Sequence, residues 1–390
     1  MYDRKGSGRG ELLGARRSKH LRQRQSRRKA MTQSSGATRF VRSDAGRTAE
    51  EVHMKRNRSG RARIARISRN VAIATIASMA AVQAAAAVAP NVANELNKLA
   101  GMRLFVSGDS PAKRQADAWR RSRPADAELM DRIAQQPMAK WFGGWSGDIR
   151  RAVAGAVDQA ARQGSTPVLV AYNIPNRDCG SYSAGGSSNS SAYRQWIGGF
   201  AAGLNGRRAI VILEPDAIPG AACLPAAGQQ ERYSLLADAV RTLKSAGAVV
   251  YLDAGNSKWL APSAVAQRLQ AAGIEQADGF SLNVSNYQTT SSNVAYGNSL
   301  SKLVGGKHYV IDTSRNGVGG SGSQWCNVSG QSLGAAPTTK TGHALVDAFL
   351  WIKTPGESDG TCNGGPKAGQ WWAEYALGLA RNSMQVASAN

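Results

Sequence analysis

Residues 209–216 read AIVILEPD, an apolar run that ends in two carboxylates on either side of a proline. The run Ala209–Leu213 is rich in Val and Ile, which is typical of a strand buried on both faces of a parallel sheet. Apolar runs recur six more times along the chain. They are Arg103–Val106, Val168–Ile174, Ala248–Leu252, Gly279–Val284, His308–Ile311 and Ala344–Ile352. We therefore predict seven parallel strands.

Segments with helical periodicity lie between these runs. They are Ile149–Gln163, Tyr193–Gly203, Gln229–Ser245, Ser263–Ala272, Val294–Val304 and, at the end of the chain, Ala368–Arg381. Most strand starts are roughly 30 to 40 residues apart, the length of one strand–helix unit. Such units form a closed barrel or an open doubly wound sheet. No glycine-rich dinucleotide turn follows a strand, which favours a parallel β/α barrel.

Acidic residues follow most of the predicted strands. Five aspartates occupy such positions: Asp178, Asp216, Asp253, Asp312 and Asp359. The carboxyl ends of the strands in a parallel β/α fold meet at one face, where active sites are built. A single aspartate there is usually a helix N-cap. Five together raise each other's pKa and cost stability, which indicates a metal site or acid–base chemistry.

The metal alternative lacks supporting residues. Aspartate sites for magnesium usually accompany a phosphate substrate and its basic residues, and no such pattern is present. The four cysteines form no CxxC pair and the chain has only four histidines, which argues against zinc. No GxSxG motif indicates a serine nucleophile. We therefore predict no metal, no cofactor and a pair of carboxyl groups that hydrolyses glycosidic bonds.

Four of the nine tryptophans stand beside the carboxylate segments, outside the apolar runs. They are Trp141, Trp145, Trp259 and Trp325. A tryptophan considered alone is usually a core residue. One face of a pyranose ring is apolar and stacks on indole, so tryptophans near carboxylates are typical of sugar sites. We favour this role for Trp259 and Trp325, because polar and small residues flank them.

The positive charge of the chain is concentrated in residues 1–70, which hold 21 of the 49 Lys and Arg but 5 of the 26 Asp and Glu. Basic runs at Arg22–Lys29 and Lys55–Arg69 precede an apolar, alanine-rich stretch, Val71–Ala89, as in a secretory signal. That stretch is just long enough for an uncleaved membrane anchor, but its few Leu, Ile and Phe favour cleavage. If translation began at Met1, the basic region would be too long for a signal peptide, so we expect Met54 to be the initiator.

The predicted organisation is therefore a basic disordered tail over 1–53, a signal peptide over 54–89 and one catalytic domain over 90–390. The remainder of the chain is mildly basic and has no dense basic stripe, so no nucleic-acid partner is expected. The mature protein is expected to be extracellular and monomeric, without stable membrane association.

Two disulfides are expected, because an even number of cysteines follows the signal. Four cysteines allow three pairings, and the sequence alone does not decide between them. We adopt the sequential pairing, Cys179 with Cys223 and Cys326 with Cys362, which closes two local loops.

Five sequence blocks resemble glycoside hydrolase family 6, the cellulases, and occur in that family's order. They are AYNIPNRDC (171–179), ILEPD (212–216), YLDAG (251–255), DTSRNG (312–317) and WIKTPGESDG (351–360). The resemblance covers roughly residues 100–385. It implies a distorted seven-stranded parallel barrel, hydrolysis of β-1,4-glucan with inversion at the anomeric carbon, and the disulfide pairing adopted above.

The resemblance also implies roles for single residues. Asp216 matches the general acid, Asp178 the aspartate that supports its protonation and is linked to the catalytic water, and Asp359 the proposed base. The substrate-binding set comprises Trp141, Tyr172, Ser183, Asp253, Asn256, Trp259, Asn283, Trp325, Lys353 and Glu357. Of these, Tyr172 matches the tyrosine below the distorted sugar, Ser183 the serine that holds the water, and the tryptophans sugar-stacking positions. Asp312 is interpreted as structural.

The chain departs from the family's usual residues at two places. Asn256 stands where the family usually has histidine, and 260–262 (LAP) lacks a tryptophan of the tunnel-forming exo enzymes. The disulfide loops span 44 and 36 positions, which is short for the family and predicts an open cleft and internal cutting. The alternatives are an exo-acting cellobiohydrolase, a hydrolase of another β-glucan on this scaffold, and a secreted glucan-binding protein without catalysis.

Overall fold

The computed structural model contains a parallel sheet of seven strands within its described residues, and their spatial order follows the chain. The strands are β1 (Lys140–Phe142), β2 (Val168–Ala171), β3 (Ile210–Leu213), β4 (Val249–Asp253), β5 (Gly279–Leu282), β6 (His308–Asp312) and β7 (Val346–Leu350). The sheet curls until β1 approaches β7. A single bridge, Met138 to Trp351, joins these two edges, so the barrel is distorted there. The predicted fold class, a distorted seven-stranded parallel β/α barrel, is confirmed.

The structure describes residues 97–320, 322 and 324–389. The basic tail predicted over 1–53 and the signal peptide predicted over 54–89 lie outside the described residues, as do the first residues of the predicted catalytic domain. The described residues all fall in one unit of the chain.

Eight α-helices are described. They are α1 (Pro111–Trp119), α2 (Pro124–Ala134), α3 (Ile149–Arg162), α4 (Ser190–Leu204), α5 (Ala226–Ser245), α6 (Pro262–Ala271), α7 (Thr290–Leu303) and α8 (Ala373–Ala389). Helices α3 to α7 each connect two successive strands, whereas the described residues between β6 and β7 form turns and bends. Within the described part of the chain, no helix has both the length and the apolar character needed to span a bilayer.

The strands are apolar on both faces because both faces are covered. Along β3, Val211 and Leu213 pack in the layer shared with the helices, whereas Ile210 and Ile212 pack with side chains of the neighbouring strands in a separate cluster. This alternation follows from the two-residue period of a strand. Burial of each such side chain contributes about 1.5–3 kcal/mol, so the run that predicted the strand also stabilises it.

One predicted strand is wrong. Arg103–Val106 is not a strand of the sheet; its Leu104 makes one isolated bridge with Thr166. The first strand is instead β1, which the pattern misses because it has three residues and Lys140 is exposed. Helices α1 and α2 are also additional to the prediction. Proline stands at the first position of each, and the Ser110 side chain caps α1 by accepting the Lys113 N–H.

Both disulfides are present in the sequential pairing. Cys179–Cys223 links the segment after β2 to the segment after β3, and Cys326–Cys362 links the β6–β7 connection to the segment after β7. Both therefore hold loops at the carboxyl end of the barrel.

Candidate active site

A cleft of about 1460 Å³ lies among the segments that follow the strands. Eleven of the thirteen residues predicted for the site line it: Trp141, Tyr172, Asp178, Ser183, Asp216, Asn256, Trp259, Trp325, Lys353, Glu357 and Asp359. The volume includes a branch lined by Phe105 and Pro167, which precede β1 and β2, so the space around the carboxylates is smaller. Asp253 and Asn283 are buried and do not line the cleft.

The turn after β3 presents Asp216 in a left-handed backbone conformation, with φ of 51° at Glu214 and 69° at Asp216. Two buried carboxylates hold this turn. The Asp216 N–H donates to Asp253 Oδ2 at 2.9 Å, and Glu214 accepts the N–H groups of Asn173 and Ile174 at 2.9 and 3.0 Å. Non-glycine residues keep such conformations only where their surroundings fix them, as at functional sites.

The surroundings of Asp216 favour its protonated form. Burial raises its pKa well above the usual value, and the negative charges of Asp253, Asp178 and Asp359 raise it further, while Lys353 partly opposes them. Burial also raises the pKa of Asp253 to about 7, although the N–H groups that it accepts act in the opposite direction. A carboxyl group that keeps its proton near neutral pH can serve as a general acid.

Asp178 lies in a tight loop after β2, where Asn176, Asp178 and Cys179 all have positive φ. Its Oδ2 accepts the Ser183 N–H at 2.7 Å. Burial raises the pKa of Asp178, and this N–H and the charge of Arg177 lower it in part.

Arg177 holds the same loop against the barrel. It donates to the carbonyl groups of Tyr172 at 2.9 Å, Ser183 at 2.7 Å and Ala184 at 3.0 Å. Its guanidinium also lies 4.7 Å from the centre of the Tyr172 ring. No motif in the sequence marks Arg177, because its partners are backbone carbonyls.

The hydrogen-bonding and charged partners of Asp359 stabilise its ionised form. Its Oδ2 accepts Arg315 Nη1 at 2.8 Å and the Asn327 N–H at 2.9 Å, and its Oδ1 lies 3.3 Å from Lys353 Nζ. Burial alone would raise the pKa of Asp359, but the charges of Arg315 and Lys353 outweigh it and hold the pKa below its usual value. The site therefore contains several carboxyl groups with a raised pKa, among them Asp216, and one with a lowered pKa, Asp359.

Three residues near the cleft have partners that point to internal roles. Asp312 accepts the N–H groups of Ser285, Ser314 and Lys353, as a structural residue would. Asn283 donates to the Asp312 carbonyl at 2.9 Å and is fully buried. Asp253 also accepts the Ser281 hydroxyl, at 3.2 Å.

Aromatic rings line the cleft on several sides. Trp141 donates to the Ile352 carbonyl at 2.8 Å and its ring meets that of Tyr172 edge to face at 5.2 Å, which holds both rings in place. Trp259 and Trp325 keep 43% and 42% of their surfaces exposed, as platforms for a ligand would. Asn256 accepts the Lys258 N–H at 2.9 Å, and its side-chain nitrogen has no partner among the described residues.

The two disulfide loops contact each other at Tyr182, which no motif in the sequence marks. Its ring packs against Gly360, where a Cβ atom would overlap it, and lies 6.0 Å from the ring of Trp325. Tyr182 lies shortly after Asp178 in the chain, and Gly360 directly follows Asp359. The two loops are therefore in contact beside the carboxylates, and Tyr182, Gly360 and Trp325 all line the cleft.

Within the described residues, no three His, Cys, Asp or Glu side chains are grouped as in a metal site. The carboxylates of the cleft are instead held by backbone N–H groups, Arg315 and Lys353. The chemistry that these groups can perform is proton donation by one carboxyl group and charge stabilisation by another.

Comparisons with known proteins identify one family along most of the chain. A family model described as "Glycosyl hydrolases family 6" matches residues 99–383. Endoglucanase A of Cellulomonas fimi is 48% identical over 269 residues, which are 68% of this chain and 59% of the relative. Endoglucanase 1 of Streptomyces halstedii is 45% identical over 285 residues, or 70% of this chain and 86% of the relative. The chain thus spans less than two thirds of the Cellulomonas protein.

Solved structures match in fold as well. The endoglucanase Cel6 from Mycobacterium tuberculosis, in complex with methyl-cellobiosyl-4-deoxy-4-thio-β-D-cellobioside, superposes with a TM-score of 0.70 at 44% identity and covers 74% of this chain and 100% of its own. Endoglucanase Cel6B from Humicola insolens superposes with a TM-score of 0.65 at 27% identity, and the match covers 73% of this chain and 98% of its own. The resemblance seen in the five sequence blocks is confirmed, and the chain belongs to glycosyl hydrolases family 6.

Proposed function

We propose that this protein is a secreted endo-β-1,4-glucanase that hydrolyses cellulose or a related β-glucan with inversion. The observation that carries the proposal is the presence of Asp216, whose pKa is raised, and of Asp359, whose pKa is lowered, in one cleft lined by tryptophans. Relatives that are 45–48% identical are called endoglucanases, and the similar Mycobacterium tuberculosis enzyme binds a thio-linked cello-oligosaccharide.

In the proposed mechanism Asp216 donates its proton to the glycosidic oxygen as the bond breaks. Burial keeps that proton on Asp216, and the charges of Asp253 and Asp178 raise the pKa of the acid further. Inversion requires a water molecule on the opposite face of the sugar, with an ionised carboxylate nearby. We assign the binding of this water to Ser183 together with Asp178.

We assign the role of base to Asp359. Its Oδ2 accepts hydrogen bonds from Arg315, Asn327 and Tyr287, whereas Oδ1 has only Lys353 Nζ, at 3.3 Å, so Oδ1 is the atom that we assign to the water molecule. A lowered pKa makes Asp359 a weak base, but it keeps a negative charge in the cleft at working pH. That charge also stabilises the positive character of the sugar ring in the transition state.

The remaining predicted residues bind the glucan in this proposal. Tyr172 lies under the sugar at the cleavage point, with Trp141, Trp259 and Trp325 as stacking platforms. Lys353, Glu357 and Asn256 offer hydrogen bonds to hydroxyl groups. Asp253 and Asn283 act indirectly: Asp253 positions Asp216 through its backbone N–H, and Asn283 supports the turn at Asp312.

Internal cutting is expected to show in the time course of hydrolysis. Because the disulfide loops are short, we expect soluble carboxymethylcellulose to lose viscosity well before reducing ends accumulate. Proton NMR of the first products should show the α-anomer. Cellobiose release without loss of viscosity would instead support the exo alternative, and a β-anomer would contradict inversion.

A glucan-binding protein without turnover is the competing function. The raised pKa of Asp216 opposes it, because binding alone gives no reason to keep a proton donor in the same cleft as the ionised Asp359. An assay on acid-swollen cellulose separates the two functions, since a binding protein would retain the polymer and release no sugar.

We also propose export, with a signal peptide over 54–89, a catalytic domain over 90–390 and a start at Met54. The two disulfides support an oxidising environment. Expression from Met1 and from Met54 in a secreting host is expected to yield the same extracellular protein, with its N-terminus just after Ala89. Edman sequencing of that protein is the measurement. An intact basic segment on the secreted chain would contradict the proposed boundaries.

A further inference from the structure

Trp145 is the most exposed of the large apolar side chains that the structure describes, with 59% of its surface accessible. It lies on the short 3₁₀ turn Gly144–Ser146 that follows β1, and it lines the same cleft as the aspartates. A single exposed apolar side chain is common on protein surfaces, but an open indole inside a cleft that other tryptophans also line offers a surface for a ligand. The proposed mechanism makes no use of it.

The ring of Trp145 is held in place although it is exposed. It lies so close to Gly143 that a Cβ atom there would overlap the ring. The guanidinium of Arg177 lies 5.0 Å from the ring centre. The turn is closed by the Gly143 N–H, which donates to Ser146 Oγ at 3.1 Å. A fixed ring loses little conformational entropy when a ligand binds, which favours a preformed platform.

At least one face of the ring remains open. An indole covered on both faces could not keep more than half of its surface accessible, so Arg177 and Gly143 leave room for a flat apolar ligand. The neighbouring platform, Trp141, is on β1 itself and four positions earlier. The two rings are related through shared neighbours, because Trp141 contacts the Tyr172 ring and Arg177 contacts the rings of both Tyr172 and Trp145.

We propose that Trp145 forms an additional subsite, which stacks a glucose unit of a β-1,4-glucan beyond the unit that lies over Tyr172. The inference rests on the proposed function, since the same cleft must hold the polymer. The ligand class follows from the site: a pyranose has an apolar face and needs no charge, and the open ring of Trp145 provides an apolar surface beside polar groups.

The test compares cello-oligosaccharides of increasing length. Trp145→Ala is expected to lower kcat/KM for the longest substrate by about tenfold, the loss of one aromatic stacking contact, and to leave the shortest cleaved substrate unaffected. Trp145→Phe should recover most of the loss. Trp119→Ala is the matched control, because Trp119 also has an arginine, Arg123, 3.9 Å over its ring but lies outside the cleft.

Equal loss at every length would overturn the subsite, because it would mean that the ring only supports Arg177 and the loop behind it. Unchanged kinetics at every length would also overturn it. Affinity electrophoresis in hydroxyethylcellulose gives a readout without turnover, in which Trp145→Ala should migrate faster than the wild type. If the wild type cleaves no oligosaccharide, the proposed function fails while this binding result still decides on Trp145.

Discussion

The variant Asp216→Asn is expected to lose at least about 10³-fold in kcat on unmodified cello-oligosaccharides, within the range for loss of a general acid. Asparagine preserves the size of the side chain, and the backbone N–H bond to Asp253 is unaffected. The amide has no proton to give to the leaving oxygen. Binding of the polymer should therefore persist, as measured by affinity electrophoresis, while hydrolysis nearly stops.

An aryl cellobioside with a leaving group of low pKa separates proton donation from other defects. Such a group departs without protonation, so Asp216→Asn should lose much less activity on it. Asp158→Asn is the control, since Asp158 is a surface carboxylate paired with Arg207. Turnover of unmodified oligosaccharides within tenfold of the wild type would contradict the assignment of the acid.

The pH profile gives a second readout of the same acid. Because the pKa of Asp216 is raised, wild-type activity should persist above the usual carboxyl range and fall when Asp216 finally ionises. Asp178→Asn removes one of the charges that raise this pKa, so whatever activity remains should fall at a lower pH.

The strands were largely predictable because parallel strands covered on both faces have continuous apolar sequences. Val168–Ile174 and Ala209–Leu213 contain β2 and β3 for this reason. β1 lacks the signal, since Lys140 is exposed and only Phe142 is fully buried. The burial of Arg103–Val106 is partial, which explains why an apolar run there forms a bridge and no strand.

Positions in the site were predictable where the chain itself marks them, as at the strand ends that carry Asp178, Asp216 and Asp359. The contacts that each side chain makes in the folded protein were harder to predict. Asp253 is the last residue of β4, and its side chain accepts the Asp216 N–H from 37 positions away, which no local pattern encodes. Arg315 is similar, because its importance comes from contact with Asp359, 44 positions further on.

Tyr182 illustrates the same limit for loops. Its sequence context, between two serines after Cys179, is that of a surface turn. Only the folded chain brings it against Gly360, because each loop is tied to the barrel by a disulfide. Loop length predicted an open cleft, but length carries no information on which side chain reaches across.

The variant Arg315→Met is expected to lower the free energy of unfolding by about 3–5 kcal/mol at neutral pH, the cost of removing one partner from a buried ion pair. Arg315 is completely buried. It holds Asp359 at 2.8 Å, donates to the Ser285 carbonyl at 2.6 Å and lies 4.5 Å from the Tyr287 ring. Methionine fills much of the space but replaces none of the hydrogen bonds. Urea unfolding at neutral pH is the measurement.

An arginine–aspartate pair on the surface provides the control. Arg194 contacts Asp238 at 2.7 Å with about half of its side chain exposed, so Arg194→Met should cost no more than about 1 kcal/mol. Equal small effects of the two variants would contradict the importance of the buried pair. Activity should fall only in Arg315→Met, since Asp359 lies in the cleft and Asp238 does not.

The dependence of this cost on pH identifies its electrostatic origin. The pKa of Asp359 is lowered in the folded protein, so its ionisation stabilises the fold above the unfolded pKa, and this contribution is lost as pH falls through the folded pKa. Arg315→Met removes the main charge that lowers this pKa. The difference in stability between wild type and variant should therefore be largest near neutral pH and shrink under acidic conditions. A difference that stays constant down to acidic pH would instead indicate lost packing and not lost charge pairing.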